Sequence, residues 1–190
     1  MDIHHLLNYL GTMFPLPPTF PVILSQIVYD QLAVHKQKLL EPPARARYAW
    51  FLKTGAVSAS IFDKKGKEVV IRLYLPYVVF TDLNSFWYDR PSTLMLRAVG
   101  DVALQVISLN DFRKHLLLLY QTRELKDEIL LQDQLLDQQR SGLISLSDQD
   151  RFSEFTSLYP MNKFPNLVAA SFLNMSATKY CKLKAAWNAG

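Results

Sequence analysis

The sequence predicts an α+β chain in which N-terminal helices precede an antiparallel β-roll, a long helix and a C-terminal helix-turn-helix. Three observations predict this order. Apolar spacing changes from helical to strand-like near residue 33, short strand-like runs follow up to residue 110, and helical spacing returns from residue 111. Hydrophobic residues make up 49% and charged residues 20% of the 190 positions, which is typical of a folded globular chain.

Composition excludes several classes of protein. Cys181 is the single cysteine, which excludes an internal disulfide, a multi-cysteine metal site and an iron–sulfur cluster. No uncharged apolar stretch approaches the roughly 18 residues of a membrane span, and the N-terminus lacks the basic start of a signal peptide. No catalytic constellation or phosphate-binding glycine motif is present. We therefore expect a cytoplasmic protein that is not an enzyme and needs no cofactor or metal.

Residues 2–30 show two short helical patterns. The prolines at 15, 17, 18 and 21 interrupt them and prevent one continuous helix. The second pattern places Val22, Ile23, Ile27 and Val28 at helical spacing.

The β-roll is predicted over residues 33–110 from six short runs rich in β-branched and aromatic residues. Turn signals separate these runs at 42–43, 54–55, 63–67 and 90–92. The DKKGK turn at 63–67 predicts a hairpin, with Gly66 available for positive φ. In chain order the runs are YAWFL, AVSASIF, EVVIRLYL, YVVF, LMLRAV and DVALQVISL.

A long helix is predicted from Asp111 to about Arg140, with Asn110 or Asp111 as its cap. One seam of this helix repeats apolar residues at spacings of seven, four and seven. A helix this long either packs on its own domain or pairs with a second copy, and we favour a homodimer. The seam consists of Leu118, Leu125, Ile129 and Leu136.

Residues 141–145, after this helix, are predicted to form a linker.

The last fifty residues predict a helix-turn-helix. Ser147 and Asp148 open a short helix that ends before Pro160. Two further helices, 165–173 and 176–187, are joined by Asn174 and Met175. Asn174 stands where the turn needs positive φ, and Ser176 is the expected cap of the final helix.

The final helix is the predicted DNA-contacting element. No acidic residue follows Glu154, whereas four lysines do, and these account for the net charge of +4. This basic tail favours a polyanionic partner, double-stranded DNA before a membrane surface, although solubility alone is an alternative. A helix of this kind can enter the major groove, where its side chains meet bases and phosphates. The candidate contacts are Ser176, Thr178, Lys179, Lys182 and Lys184.

The order of these parts resembles the Crp/Fnr family of bacterial transcription regulators. Three segments carry the resemblance: YAWFLKTGAVSASIFDKKGKEVVIRLYLP around Gly55, LSDQDRFSEFTSLYP, and NLVAASFLNMSATKYCKLK. The resemblance implies a homodimer whose roll, of double-stranded jelly-roll form, is like a cyclic-nucleotide-binding domain. It further implies a sensor domain at 1–110, a dimerisation helix at 111–140 and a winged-helix-like DNA-binding domain at 141–190.

The resemblance also locates an effector pocket, and the sequence departs from the family there. The Gly-Glu pair of cyclic-nucleotide-binding members falls on Thr81 and Asp82, and their Arg-Ser/Thr pair falls on Ser92 and Thr93. The arginine that would hold a phosphate is absent, with Arg90 the nearby substitute. We therefore expect a degenerate pocket that does not bind cyclic AMP, and an effector, if one exists, of unknown identity.

Two hypotheses follow for function. The first is a dimeric DNA-binding regulator with a degenerate effector pocket. The alternative is a dimeric small-molecule sensor or interaction module that has lost DNA binding. The absence of arginine from the final helix supports the second hypothesis, because arginine is the commonest base-reading residue, and the retained lysines support the first.

Overall fold

A computed structural model describes residues 2–189 of the chain. It has the predicted α+β architecture, with helices packed at both ends of an antiparallel sheet. The helices are α1 His4–Met13, α2 Thr19–Ile27, α3 Leu83–Tyr88, α4 Leu109–His115, α5 Tyr120–Ser145, α6 Asp148–Leu158, α7 Asn166–Phe172 and α8 Ala177–Ala189. The strands are β1 Val28–Ala33, β2 Lys38–Leu40, β3 Tyr48–Phe62, β4 Glu68–Tyr74, β5 Val79–Phe80 and β6 Met95–Ser108.

The prolines separate α1 from α2 as predicted. Pro21 lies in the first turn of α2, where its missing N–H has no intrahelical partner to lose. Val28 does not extend this helix. It begins β1, which pairs with β6 from Val28 opposite Ile107 to Ala33 opposite Val102. The roll therefore starts before residue 33, the predicted boundary.

The sheet has the strand order β1-β6-β3-β4, with β2 paired to β6 and β5 paired to β3. The two central strands are 15 and 14 residues long, whereas the sequence predicts two short strands in place of each. Gly55 (φ 91°) and Gly100 (φ 75°) lie where those predicted breaks fall. Pairing between β3 and β6 continues past both glycines, which adopt the positive φ that a glycine bulge uses. The pairing of β3 with β6 shifts register on both sides of Thr54.

The predicted hairpin between β3 and β4 is confirmed. The carboxylate of Asp63 accepts hydrogen bonds from the backbone N–H groups of Lys65 (2.8 Å) and Lys67 (2.9 Å). Gly66 has φ 76°, as the turn requires.

The single helix predicted for residues 111–140 is two helices, α4 and α5. Ser108 caps α4 by accepting a hydrogen bond from the N–H of Asp111 (3.0 Å). The chain turns between them at 116–119, where Leu116 is buried against the N-terminal helices. The predicted linker at 141–145 is the last turn of α5, because Leu143 is buried beneath it.

Within residues 2–189, the buried apolar side chains form three hydrophobic cores. The roll core fills the β-roll, the N-terminal core lies under α1 and α2, and the C-terminal core lies among α6, α7 and α8. Helix α5 contacts all three, through Leu125 in the N-terminal core, Leu136 in the roll core and Leu143 in the C-terminal core. Within residues 2–189, no helix is long and apolar enough to span a membrane.

Candidate functional site

Helices α7 and α8 form a helix-turn-helix with the local geometry that the sequence predicts. Asn174 has φ 51° in the turn, which asparagine tolerates better than most residues. The hydroxyl of Ser176 accepts a hydrogen bond from the N–H of Lys179 (3.2 Å) and so caps the start of α8. No strand follows β6 as far as residue 189, so the described part of this unit consists of helices joined by turns and shows no wing.

Small and aromatic side chains pack the unit. Ala169 and Ala170 are buried where α7 meets its neighbours, and small residues permit that close approach. The rings of Phe155, Phe172 and Tyr180 are also buried, with Tyr180 edge-on to Phe155 at 6.4 Å between centroids. This packing fixes which face of α8 points outward.

Two arginines bind the carbonyl groups at the ends of helices. Arg151 donates to the carbonyl oxygens of Ile144, Leu146 and Leu173, each at 2.8 Å. Arg140 donates through Nε to the carbonyl of Phe172 (2.9 Å), and burial lowers the pKa of its guanidinium. Neither arginine could be identified from sequence, because an isolated arginine carries no signal for the carbonyl it will bind. Together they fix the helix-turn-helix to the end of α5.

The predicted DNA-contacting residues have different surroundings. Thr178 and Lys182 are exposed on the outer face of α8. Lys179 pairs with Asp148 at the start of α6 (3.2 Å), and Lys184 donates to the side chain of Asn166 (3.3 Å). Ser176 caps its own helix. The structure thus places all five predicted residues in one unit, with Lys182 and Thr178 the most available.

The predicted effector-pocket residues do not form an open pocket. Asp82 is buried, and its carboxylate accepts hydrogen bonds from the hydroxyl of Ser92 (2.6 Å) and the N–H of Ser85 (3.1 Å). Thr81 is also buried and donates to the carbonyl of Tyr48 (2.9 Å). Asp82 and Ser92 therefore satisfy each other, and Asp82 caps α3, so neither group is free for a ligand.

The remaining two predicted pocket residues point elsewhere. Thr93 is exposed, and the guanidinium of Arg90 lies 5.9 Å from the ring centre of Tyr88. Because Asp82 and Arg90 do not face a common space, the arrangement offers no combined site for a ribose hydroxyl and a phosphate.

The predicted dimer seam is not one exposed stripe. Leu118 lies outside α5, in the turn after α4, and is 95% exposed, whereas Leu125 is buried in the N-terminal core. Ile129 and Leu136 are partly buried, and Leu136 packs on the roll core. One straight helix over 111–140 would align these four residues, but the turn at 116–119 places Leu118 outside α5 and changes which face of the helix is exposed. The exposed apolar face of α5 carries Leu131 and Leu135 instead.

A charged cluster that the sequence did not reveal joins β4 to α5. The guanidinium of Arg72 donates to Asp137 through Nε (2.7 Å) and Nη2 (2.6 Å), and to Asp133 through Nη1 (2.7 Å). The hydroxyl of Tyr74 also donates to Asp133 (3.4 Å). Burial raises the pKa of Asp133 to about 6, with Asp137 adding to the rise and Arg72 opposing it.

The comparisons with known proteins concern the fold. No protein-family model matches the sequence, and no curated protein matches it. Among solved structures, FixK2 from Bradyrhizobium japonicum superposes with a TM-score of 0.74 at 12% identity, over 86% of this chain and 85% of that chain.

In residues 2–189, no group of three or more His, Cys, Asp and Glu residues is arranged to hold a metal ion.

Two further structures have the same architecture. A Eubacterium rectale protein described as a transcriptional regulator of the Crp/Fnr family gives a TM-score of 0.72 at 14% identity, over 96% of this chain and 88% of that chain. The c-di-GMP-responsive regulator CLP from Xanthomonas campestris gives 0.66 at 14% identity, over 89% and 90%. The predicted resemblance is thus confirmed at the level of fold: the chain has the Crp/Fnr-like architecture of a β-roll followed by helices.

Proposed function

We propose that this chain is a homodimeric, DNA-binding transcription regulator of the Crp/Fnr type. The observation that carries the proposal is the α7–α8 geometry, in which a turn at Asn174 and a cap at Ser176 leave Thr178 and Lys182 exposed on the final helix. In this proposal residues 1–110 form a sensor domain, 111–140 supply most of the dimer helix, which α5 continues to Ser145, and 141–190 contain the DNA-binding helices. The protein acts in the bacterial cytoplasm and has no catalytic role.

Helix α8 would enter the major groove from its N-terminal end. Thr178 and Lys182 are four residues apart and share one helix face, so both can reach the same groove. Lysine neutralises a phosphate as a point charge but lacks the two-pronged geometry that reads guanine in the way arginine does. Phosphate binding therefore supplies most of the affinity, and it falls as salt concentration rises.

The dimer interface would be the outer stripe of α5, which we define as Leu131, Leu135, Gln138 and Gly142. Their spacing of four, three and four places them on one side of the helix, and all four are exposed. Leu131 is 47% and Leu135 is 53% exposed, so two leucines stay in contact with water in the monomer. Pairing with a second α5 removes that apolar surface from solvent.

The effector pocket of this regulator is degenerate. Because Asp82 already accepts hydrogen bonds from Ser92 and Ser85, it is unavailable to a ribose hydroxyl. We infer that cyclic AMP does not bind there.

A second candidate function is a dimeric small-molecule sensor or interaction module without DNA binding. Two observations favour it: α8 carries no arginine, and both Lys179 and Lys184 have partners within their own unit. Measuring the affinity for DNA at several salt concentrations separates the two functions. A module that has lost DNA binding has no measurable affinity and therefore no dependence of affinity on salt concentration.

The experiment is a selection of bound genomic fragments by the purified protein, followed by measurement of affinity against salt concentration. We expect an inverted repeat whose half-sites lie about one helical turn apart. Lys182→Ala should weaken binding and reduce the salt slope by about one. Lys114→Ala, an exposed lysine on α4, is the matched control and should leave the slope unchanged. Equal slopes for the wild type and Lys182→Ala would remove Lys182 from the interface, and no binding at any salt would favour the second function.

A further inference from the structure

A partly enclosed cavity lies between the N-terminal helices, the strands β3 and β6, and the helices α3 to α5. Its volume is about 110 Å³, of the same order as the ~150 Å³ apolar cavity that admits benzene in another protein. Most of its wall is aliphatic and aromatic. The side chains that define it best are Leu10, Phe20, Phe51, Trp87, Leu116 and Leu125.

Three polar side chains at this wall have atoms without partners. Trp50 and Gln105 are each 2% exposed and Thr122 is 4% exposed. The Trp50 Nε1, Gln105 Oε1 and Thr122 Oγ1 atoms have no hydrogen-bond partner in residues 2–189. The Gln105 amide is oriented by its Nε2, which donates to the carbonyl of Asp2 (2.6 Å). Since buried polar atoms are almost always paired, three unpaired ones at one cavity point to a ligand that pairs with at least one of them.

The charge at the wall restricts the class of ligand. Among the described residues that line the cavity, Lys126 is the one charged side chain. Its ammonium group lies 3.2 Å from the carboxylate of Asp127 and 5.6 Å from the ring centre of Trp87. A carboxylate or phosphate would therefore lose its hydration without gaining a free cation, which is costly in an apolar site.

We propose that this cavity binds a small, neutral, mostly apolar molecule that carries one hydroxyl group. The ligand's hydroxyl pairs with the hydroxyl of Thr122, while the apolar body fills the space beside Phe51 and Leu125. The cavity shares Thr81 with the pocket that the resemblance implies, but its wall includes neither Asp82 nor Ser92.

The site has a direct connection to the rest of the molecule. Thr122, Leu125 and Ile129 are on α5, and the same helix reaches the C-terminal core through Leu143. A ligand that favours one position of α5 would therefore shift the placement of the helix-turn-helix. This regulatory part rests on the proposed function, whereas binding in the cavity does not.

The test measures binding of benzyl alcohol and toluene to the full chain, without DNA, by titration calorimetry. The two probes differ in the hydroxyl, so we expect benzyl alcohol to bind about fivefold more tightly, as one neutral hydrogen bond allows. Thr122→Val keeps the side-chain shape and should abolish this advantage while leaving the affinity for toluene unchanged. Leu125→Phe fills the cavity and should weaken both probes at least tenfold. Leu130→Phe, exposed on the same helix, should weaken neither.

Three results would overturn the proposal: neither probe binds, Leu130→Phe weakens binding as much as Leu125→Phe, or Thr122→Val reduces the affinity for both probes equally. If Leu125→Phe does not fold, the Thr122→Val comparison decides alone, because that variant removes only an unpaired hydroxyl. If only the proposed function is wrong, the protein still binds the probes but has no affinity for DNA.

Discussion

Gly55 has φ 91° in the middle of β3, and a Cβ atom placed on it would lie 2.5 Å from the carbonyl oxygen of Asp101. Both the backbone conformation and the contact therefore oppose any other residue. Gly100 has a similar φ of 75°, but nothing lies within 4 Å of a Cβ placed there. A comparison of Gly55 with Gly100 therefore separates the energetic cost of backbone strain from that of a clash with the neighbouring strand.

We predict that Gly55→Ala lowers the free energy of unfolding by about 3 kcal/mol, since it combines strain with a steric clash. Gly100→Ala should cost only about 1 kcal/mol, for strain alone. Urea unfolding followed by circular dichroism measures both values. Equal losses in the two variants would show that the β3 backbone relaxes away from Asp101.

The carboxyl of Asp133 makes stability depend on pH in a definite direction. Its pKa is about 6 in the folded protein and about 3.8 as the ordinary value, so the folded state holds the proton more tightly between these limits. The free energy of unfolding should therefore fall as pH rises from about 4 to about 6, by on the order of 3 kcal/mol. The groups that act on this carboxyl are Arg72, Asp137, Tyr74 and Asp82.

Asp133→Asn isolates this contribution from the other titrating groups. The difference in unfolding free energy between wild type and variant should change across pH 4 to 6 and be constant above pH 7. Denaturant unfolding at closely spaced pH values measures it. A difference that is the same at pH 4 and pH 7 would mean that Asp133 titrates normally in the folded state.

At the scale of elements, α5 carries the proposed dimer contact. We predict that the double change Leu131→Glu and Leu135→Glu produces monomers at micromolar concentration, because it places charges in an apolar interface. Analytical ultracentrifugation measures the association state. Val22→Glu, at a residue 58% exposed on α2, is the control and should leave the dimer intact. A dimeric double variant would locate the interface away from the outer stripe.

Elements with strong local signals could be predicted from sequence, and those decided by distant contacts could not. Prolines ended α1, and Asn174 and Ser176 marked the turn before α8, because each acts through its own backbone. Gly55 looked like a turn, although pairing with β6 continues through it. The extension of α5 through Gly142 depends on the burial of Leu143, which local propensity does not encode.

The same limit applies to the site. The five DNA-contacting candidates were predicted because they belong to one helix and its cap. The Arg72–Asp133 contact joins residues 61 apart in sequence, and nothing near either residue indicates the other. The closed state of the predicted effector pocket depends likewise on one hydrogen bond between Asp82 and Ser92, two residues that suggested a ligand when considered separately.

At the scale of the whole molecule, the roll and the helix-turn-helix share one core. The C-terminal core contains four strand residues together with the aromatic residues of α6 to α8. The backbone N–H of Val70 in β4 also donates to the hydroxyl of Ser171 in α7 (3.0 Å). The helical unit therefore depends on the roll to cover its apolar side. The four strand residues are Ala56, Val70, Leu73 and Val99.

We predict that a fragment of residues 141–190 shows no cooperative thermal transition, because it lacks these four residues and has too little core of its own. The full chain should unfold in a single transition. Circular dichroism melting of both proteins is the measurement. A fragment that melts cooperatively would show that the helix-turn-helix is an independent domain.

The shared core also determines how a dimer could change the relative positions of its two α8 helices. If roll and helix-turn-helix move as one rigid arm, the adjustable joint between two copies is the angle at which their α5 helices cross. Each arm is long, since the 26 residues of α5 alone span roughly 39 Å. A rotation of a few degrees at the crossing therefore displaces α8 by a larger distance than it displaces the residues near the crossing.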